Sequence, residues 1–513
     1  MAKTAAARYS QLEKDREPFL QRARDAAKLT IPSLIPPAGH TGHSKFHTPY
    51  QGIGARGVNN LASKLLLALL PPNSPFFRLL IDDFTLEELT QQEGMRAKVE
   101  EALGQVERTI MTEVEASALR VPSFEAFKHL IVGGNALLYL PPEGGMRVFR
   151  LDRYVVHRDP AGNVLEHITK ETISPDALPT EFQEKLKGKV KTGANASTDK
   201  TLDLYTWVRR VKNRWTVHQE VEGEIIPGSQ GGYPLDKSPW LPLRFTRIDG
   251  ESYGRGYVEE YYGDLWSLEL LTKAIVEGSA AAAKILIFVD PNGTTKKSDV
   301  SDAPNGAVRS GNAQDVSILS LDKFADFRVA FQTIENIQQR LAYAFLMNSA
   351  IQRGGERVTA EEIRYMAGEL EDALGGVYSI LSQEFQLPLV NRLMYVLERK
   401  KRLPSLPKDM VFPSITTGME ALGRGHDLNK LDALLARLQP LGPEVLARYL
   451  NISDYITRSG ASLGIDMKGL VRSEEEVMQQ MIQEQLQNLG REAVPGAMNI
   501  MRDQLKPEAV SNG

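Results

Sequence analysis

Gly52, Gly54 and Gly57 spell G-x-G-x-x-G, the pattern with which a backbone turn cradles a pyrophosphate at the start of a helix. That chemistry needs a buried strand before the turn and an acidic residue about 20 positions on within a βαβ unit. His47 to Gln51 is a poor buried strand, and no acidic residue stands in that context. The simpler reading is a glycine-permitted turn or close helix packing. His40, His43 and His47 have a spacing that could gather on a metal, but they lie in a Gly- and Pro-flanked stretch without carboxylate or thiolate support, as in a solvated loop. Acidic groups such as Glu369, Glu371 and Asp372, or Glu474 to Glu476, fall on helical faces with nothing nearby to tune their acidities for proton transfer. No Walker A sequence, HExxH or G-x-S-x-G is present. Arg353, Gly354, Gly355, Glu356 and Arg357 are the most informative local group: a glycine pair flanked by guanidinium groups, between two helical segments, can present planar cations to phosphate. The alternative is an ordinary helix–helix connection with surface arginines.

The elements that must position these residues belong to a chain of 513 residues, long enough for roughly three or four packed units. It has no cysteine, which excludes disulfide scaffolds, thiolate zinc sites, iron–sulfur clusters and cysteine nucleophiles. Lys plus Arg number 61 against 65 Asp plus Glu, a net charge of -4. So even a balance argues against a surface built to grip nucleic acid tightly, which needs a basic excess. Tyr9 to Arg24 is polar where a secretory apolar region would stand, and the most apolar run, Leu65 to Leu70, stops at Pro71 and Pro72. A bilayer span needs about 20 such residues. A protein of the cytosol or of a particle is expected.

The pattern predicts helices over Ser10 to Thr30, Asn59 to Leu70 and Thr85 to Ala118, then a buried segment Phe124 to Leu140 in which Gly133 and Gly134 allow a backbone to come close. Strands are predicted over Arg147 to Val156, Val164 to Thr172, Leu202 to Val211, Trp215 to Val221 and Glu224 to Pro227, forming a small antiparallel sheet or barrel, with Lys185 to Lys200 as a polar loop. Helical patterning resumes at Tyr257 to Ala283, where Ala280 to Ala283 would let neighbours approach. A short strand, Ile285 to Val289, and a turn-rich insert, Asp290 to Asp315, precede a second amphipathic helix marked by Phe327, Phe331, Ile334, Leu341 and Phe345. Thr359 and Glu362 form a capping box that opens a helix from Ala360 to about Arg399, bent at Gly375, Gly376 and Pro388. From Thr417 the chain reads as helical again.

Four segments in one order, GARGVNNLASKLLLALLP (54–71), LIVGGNALLYLP (130–141), RIDGESYGRGYVEEYYGDLWSLE (247–269) and GERVTAEEIRYMAGELEDALGGVYSILSQE (355–384), resemble the portal, or head-to-tail connector, proteins of short-tailed bacteriophages. The resemblance runs from about Thr30 to Gly425 and does not extend residue by residue into the tail.

That resemblance implies an α+β, predominantly helical subunit with wing, stem, clip and crown, assembled as a twelve-subunit ring at one capsid vertex. Residues 1–256 would form the wing with a small β domain at about 147–247. The first stem helix would be 257–283, the clip 284–325, the second stem helix 326–345 and the tunnel loop 346–358. Residues 359–416 would return to the wing and 417–513 form the crown. Twelve helices about 10 Å across, side by side, leave an opening of roughly 28 Å, wide enough for a DNA duplex.

The implied role is a conduit for packaging, retaining and ejecting double-stranded DNA, without catalysis, cofactor, metal or membrane. Arg353 to Arg357 would face the channel. Lys296, Lys297 and Arg309 would meet the terminase large subunit and later the tail adaptor. Major capsid, scaffolding and internal core proteins would be further partners. Alternatives are a helical scaffold or adaptor without a channel, or a nucleotide-binding enzyme using Gly52, Gly54 and Gly57.

Overall fold

The structure is a computed structural model that describes residues 4–72, 75–81, 95–187, 201–282, 286–319, 324–347, 370, 373–404, 411–415, 434–442, 455–456 and 482–483. The chain divides into two units: Met1–Arg78, Thr109–Leu406 and Pro413–Met419 form the larger, while Leu79–Arg108, Pro407–Phe412 and Glu420–Gly513 form the smaller. Within the smaller unit, Glu107 accepts the backbone N–H of Leu79 at 2.8 Å.

Helix α1 (Ala5–Lys28) begins where the Thr4 hydroxyl accepts the Ala7 N–H, and buries Ala5, Tyr9, Leu12, Arg16, Leu20, Ala23 and Ala27 at spacings of three and four. Helix α2 (Ile53–Leu69) follows, then α3 (Met95–Ala116), which crosses the boundary between the units, and α4 (Arg120–Gly133). The expected buried segment around Gly133 is thus a helix followed by a strand. Gly134 takes φ +72 at the turn between them. A Cβ there would strike the backbone of Arg255 and Gly256, so the close approach expected at this glycine pair is met by one specific partner segment.

Strands β1 (Phe77–Ile81), β2 (Asn135–Tyr139), β3 (Arg147–Phe149), β4 (Tyr154–Arg158), β5 (Val164–Ile173), β6 (Leu202–Val211), β7 (Arg214–Val221), β8 (Glu224–Ile225), β9 (Gly231–Pro234) and β10 (Trp240–Arg244) follow the chain. Residues 147–156, read as one strand, are two, because a single 3-10 turn at Leu151–Arg153 breaks the run and sends β3 and β4 into different sheets. One sheet has the order β10-β2-β3. A second is an antiparallel six-stranded sheet, β4-β5-β6-β7-β8 with β9 also on β7. Its order is open, which corrects the barrel alternative. Alternation along the strands gives it two apolar faces. Helix α5 (Thr180–Lys187) covers Leu202, Leu204 and Val221 through Phe182, while α1 covers Val155, Ile168 and Trp207 through Ala5, Tyr9 and Leu12. The loop expected from Lys185 therefore begins with the end of a helix; its remainder, 188–200, lies outside the described residues.

The second half opens with α6 (Tyr257–Glu260), α7 (Tyr262–Ala282), strand β11 (Leu286–Val289), the short α8 (Lys297–Ser301), strand β12 (Val316–Leu319) and α9 (Phe324–Ala344). The helix expected from Tyr257 is interrupted at Tyr261, whose N–H bonds to Val258. Of the long helix expected from Ala360, the described part is helical at Leu370 and at 373–374 and then continues as α10 (Gly376–Leu381), a π turn at Ser382–Gln386 and α11 (Leu387–Arg399). Its bends fall near the expected places for identifiable reasons. Gly375 has φ +33, and Pro388 lacks the N–H that would continue an α ladder, so the preceding turn widens.

That π turn carries Glu384 to the edge of the three-stranded sheet. Its carboxylate accepts the Arg244 backbone N–H at 2.9 Å and the Arg244 guanidinium at 3.0 Å, with Arg158 at 3.6 Å. Burial pulls the Arg158 guanidinium down to about 10, against the attraction of Glu384. Two nearly buried arginines thus share one carboxylate, joining β4, β10 and the turn.

Candidate functional site

The feature that stands apart from ordinary packing is the hairpin of α7 and α9. Arg340, near the end of α9, meets Asp264, near the start of α7, at 2.9 Å, so the helices run antiparallel. At their base Leu265, Leu268, Ile334, Ile337 and Leu341 are buried. Burial then declines along α7: Leu271 and Ile275 are half-buried, and Ala280 and Ala281 exposed. Trp266, Leu270, Val276, Val329, Phe331 and Tyr343 leave much of their surface in water, Val329 and Tyr343 as much as 67% and 78%. Phe331 therefore departs from the apolar face read for this helix; the buried face runs through Ile334, Ile337 and Leu341 instead.

The base of the hairpin is held at four points. Glu269 on α7 accepts the backbone N–H groups of Tyr50 and Gln51 at 3.0 and 3.2 Å. Phe345 sits on Gly57 of α2, where a Cβ would come within 2.6 Å of the ring. Asn60, one turn on, donates to the carbonyls of Phe345 and Leu346 at 2.9 and 3.0 Å. Tyr257 donates its hydroxyl to Ala344 at 2.9 Å and packs edge-on against Phe345; burial raises its phenol above the ordinary range, so the proton stays on the donor.

α9 closes with Met347 N–H bonding to Ala342 and Leu346 N–H to Tyr343, and with Leu346 at φ +53. This is a Schellman closure with leucine where glycine is usual. Leu346 is 8% exposed, and its burial offsets the left-handed backbone.

At the other end, β11 and β12 pair antiparallel, Leu286 opposite Leu319 and Val289 opposite Val316. The insert between them is tied by Asp315, whose carboxylate accepts the N–H groups of Thr294 and Thr295 at 2.8 and 3.0 Å and lies below the usual carboxylate range because of those bonds. Thr295 and Asn312 exchange two further bonds. Lys296, Lys297 and Arg309 flank this tie, all exposed. Arg353, Gly354, Gly355, Glu356 and Arg357 lie outside the described residues, as do Glu369, Glu371, Asp372 and Glu474 to Glu476.

The other sequence candidates resolve structurally. Gly52 caps α2, and Gly54 and Gly57 lie inside it, against the Leu29 carbonyl and the Phe345 ring. Among the described residues no strand precedes them, so Gly54 and Gly57 serve packing and the phosphate-cradle reading is corrected. His40 stacks on Phe46, and His47 lies 3.8 Å from Glu269. Among the described residues no group of His, Asp and Glu is placed to hold a metal, and no helix is long and apolar enough to cross a membrane. Glu269 and the exposed Trp266 were not singled out from sequence. Trp266 stands beside the Leu265 and Leu268 stripe in the sequence, but apolar spacing does not reveal that it is exposed.

Residues 2–471 match the family described as bacteriophage head to tail connecting protein. The chain belongs to that family. It is 45% identical to the portal protein of Escherichia phage T7 across 93% of this chain and 90% of that one. Against the portal protein of Enterobacteria phage SP6 the identity is 33%, over 96% and 95%. Among solved structures, a chain from the neck of an empty GTA particle aligns with TM-score 0.35 and 11% identity, covering 75% of this chain and 86% of that one. As a head-to-tail connecting protein, the chain is a structural component of the virion, a portal at the neck between head and tail, where such proteins form ring assemblies.

Proposed function

We propose that the chain closes into a ring of twelve copies that conducts double-stranded DNA during packaging, retains it in the head and releases it at ejection. The supporting observation is the hairpin of α7 and α9: clamped at its base, it leaves Trp266, Leu270, Val329, Phe331 and Tyr343 in water. A lone subunit gains nothing from that exposure. Side by side in a ring, each hairpin offers those faces to its two neighbours through heterologous contacts that close.

On this reading α7 and α9 are the stem, and residues 284–325 the clip. Residues 346–358 are a tunnel loop, whose Arg353 and Arg357 contact passing phosphates. The near balance of 61 basic and 65 acidic residues suits passage, because a strongly basic wall would resist sliding. Lys296, Lys297 and Arg309 face the terminase large subunit, which supplies the ATP hydrolysis, and then the tail adaptor. Residues 417–513 form the crown toward internal core proteins, and the wing meets major capsid and scaffolding proteins.

Heads made with every other particle protein but without this chain should contain no DNA. Restoring it with Arg353→Ala and Arg357→Ala should give assembled necks with shorter or poorly retained genomes. DNA-filled heads in its absence would refute the conduit. Unchanged genome length and retention in the double variant would refute the loop's role alone.

A further inference from the structure

α7 and α9 bury Leu265 and Leu268 on one helix and Ile334, Ile337 and Leu341 on the other, so each helix turns an opposite face away from the pair. At about 100° per residue, Trp266 and Phe331 stand about a quarter turn from those packed stripes, and in an antiparallel pair both come to the same flank of the hairpin. Val329 stands on the other flank. These exposed apolar side chains therefore lie where neighbouring copies are proposed to meet, and the hairpins stand in the ring with one helix toward the axis and one away from it.

The two outward faces differ in chemistry. On α9, Gln332, Asn336, Gln339 and Tyr343 recur at helical spacing on one exposed stripe, and Arg328 and Glu335 beside them are of opposite sign. On α7 the corresponding positions are Gly263, Ser267, Ala274 and Ala281, all exposed and all short. α7 also carries a strap. Glu269 holds the Tyr50 and Gln51 backbone, and the Tyr50 hydroxyl donates to Glu277 at 3.4 Å, two turns along.

From this placement we infer that α9, and not α7, faces the passing duplex, with Gln332, Asn336 and Gln339 as uncharged hydrogen-bonding contacts to its phosphates. The inference rests on the reading of the hairpin as the stem of a DNA conduit. A side-chain amide donates to a phosphate oxygen without the charge that strengthens a guanidinium bond, and it displaces no counterion. Each contact is therefore weak and readily exchanged with water, as a sliding duplex requires. The short side chains of α7 have no such reach. α9 is also the helix that runs directly into residues 346–358, the proposed tunnel loop.

The chain has no cysteine, so a single introduced thiol is a unique point of attachment. Gln332→Cys and Gln339→Cys on α9, with Ser267→Cys and Ala274→Cys as the α7 counterparts, are each coupled to an aryl azide, built into DNA-filled heads and irradiated. Covalent adducts between chain and DNA are expected from both α9 positions and from neither α7 position. Adducts from α7 alone, from all four positions equally or from none would overturn the assignment. A further variant, Gln332→Lys with Gln339→Lys, should assemble normally and release DNA more slowly at low salt, with the normal rate recovered at high salt, because each added cation gains a phosphate contact that salt weakens. Release unchanged at every salt concentration would count against the inference. So would loss of assembly, which would give this face to a neighbouring copy. The conduit itself fails on a different result, the filling of heads that lack this chain.

Discussion

Gly57 lies under the ring of Phe345, so close that a Cβ on the glycine would come within 2.6 Å of it. Two elements far apart in sequence, α2 and the end of α9, meet there with no space for a methyl group. Gly57→Ala should destabilise the fold by about 1–3 kcal/mol through overpacking, read as a lower midpoint of denaturant unfolding. Phe345→Leu in the same chain should recover part of that loss. An additive double variant would show that the two residues do not couple.

Glu384 is shared by two arginines whose side chains are 3% and 4% exposed. Glu384→Ala leaves both cations without a counter-charge in a buried setting, and about 3–5 kcal/mol should be lost. Adding Arg244→Met should cost less than the sum of the single changes, because one stranded charge is then removed. Thermal unfolding of the three variants measures this.

His167 is fully buried between Trp215 and Trp240, with neither ring nitrogen hydrogen-bonded, and burial beside Arg158 pushes it down to about 3. In the unfolded chain it titrates near its ordinary value of about 6.5. Its folded value is the lower one, so the unfolded state gains the proton first. The stability associated with neutral His167 is complete above about pH 6.5 and falls as pH drops toward 3, by about 1.4 kcal/mol per unit. Between pH 6.5 and 5 the chain should therefore lose about 2 kcal/mol from this group. His129, also lowered by burial, adds to the slope. His167→Leu should remove the His167 share and leave that of His129; an unchanged slope would contradict the assignment.

How far the sequence carried the fold depended on whether the determining contacts were local. Residues 202–211 show as a strand because alternation and β-branched residues are local properties, and α9 shows through its apolar spacing. The break at Leu151–Arg153 and the short strand at 240–244 were not legible, since β3 and β10 both pair with residues 135–139 while β4 joins another sheet. The glycine pattern at 52–57 shows the same limit from the other side. Its spacing suits a phosphate turn, but Phe345, nearly 300 residues away, decides its use. Exposure of Trp266 and Phe331 was hidden for a related reason: hydrophobic periodicity finds the buried face of a helix and says nothing of apolar side chains left exposed on another face.

Those two side chains give a prediction about assembly. Trp266→Glu with Phe331→Glu should leave the subunit folded, by circular dichroism, because both positions are half-exposed. Self-association should fall sharply, read as a shift toward monomer in sedimentation. Unaltered assembly would show that these faces are not covered by neighbouring copies.

The proposed function requires that this chain form a closed ring around a channel. Electron microscopy of the purified full-length protein measures it most directly. Rings of one fixed subunit number are expected, with a central opening of roughly 28 Å at the stem, the value for twelve helices about 10 Å across. A uniform population of monomers, or open assemblies without a central hole, would contradict it.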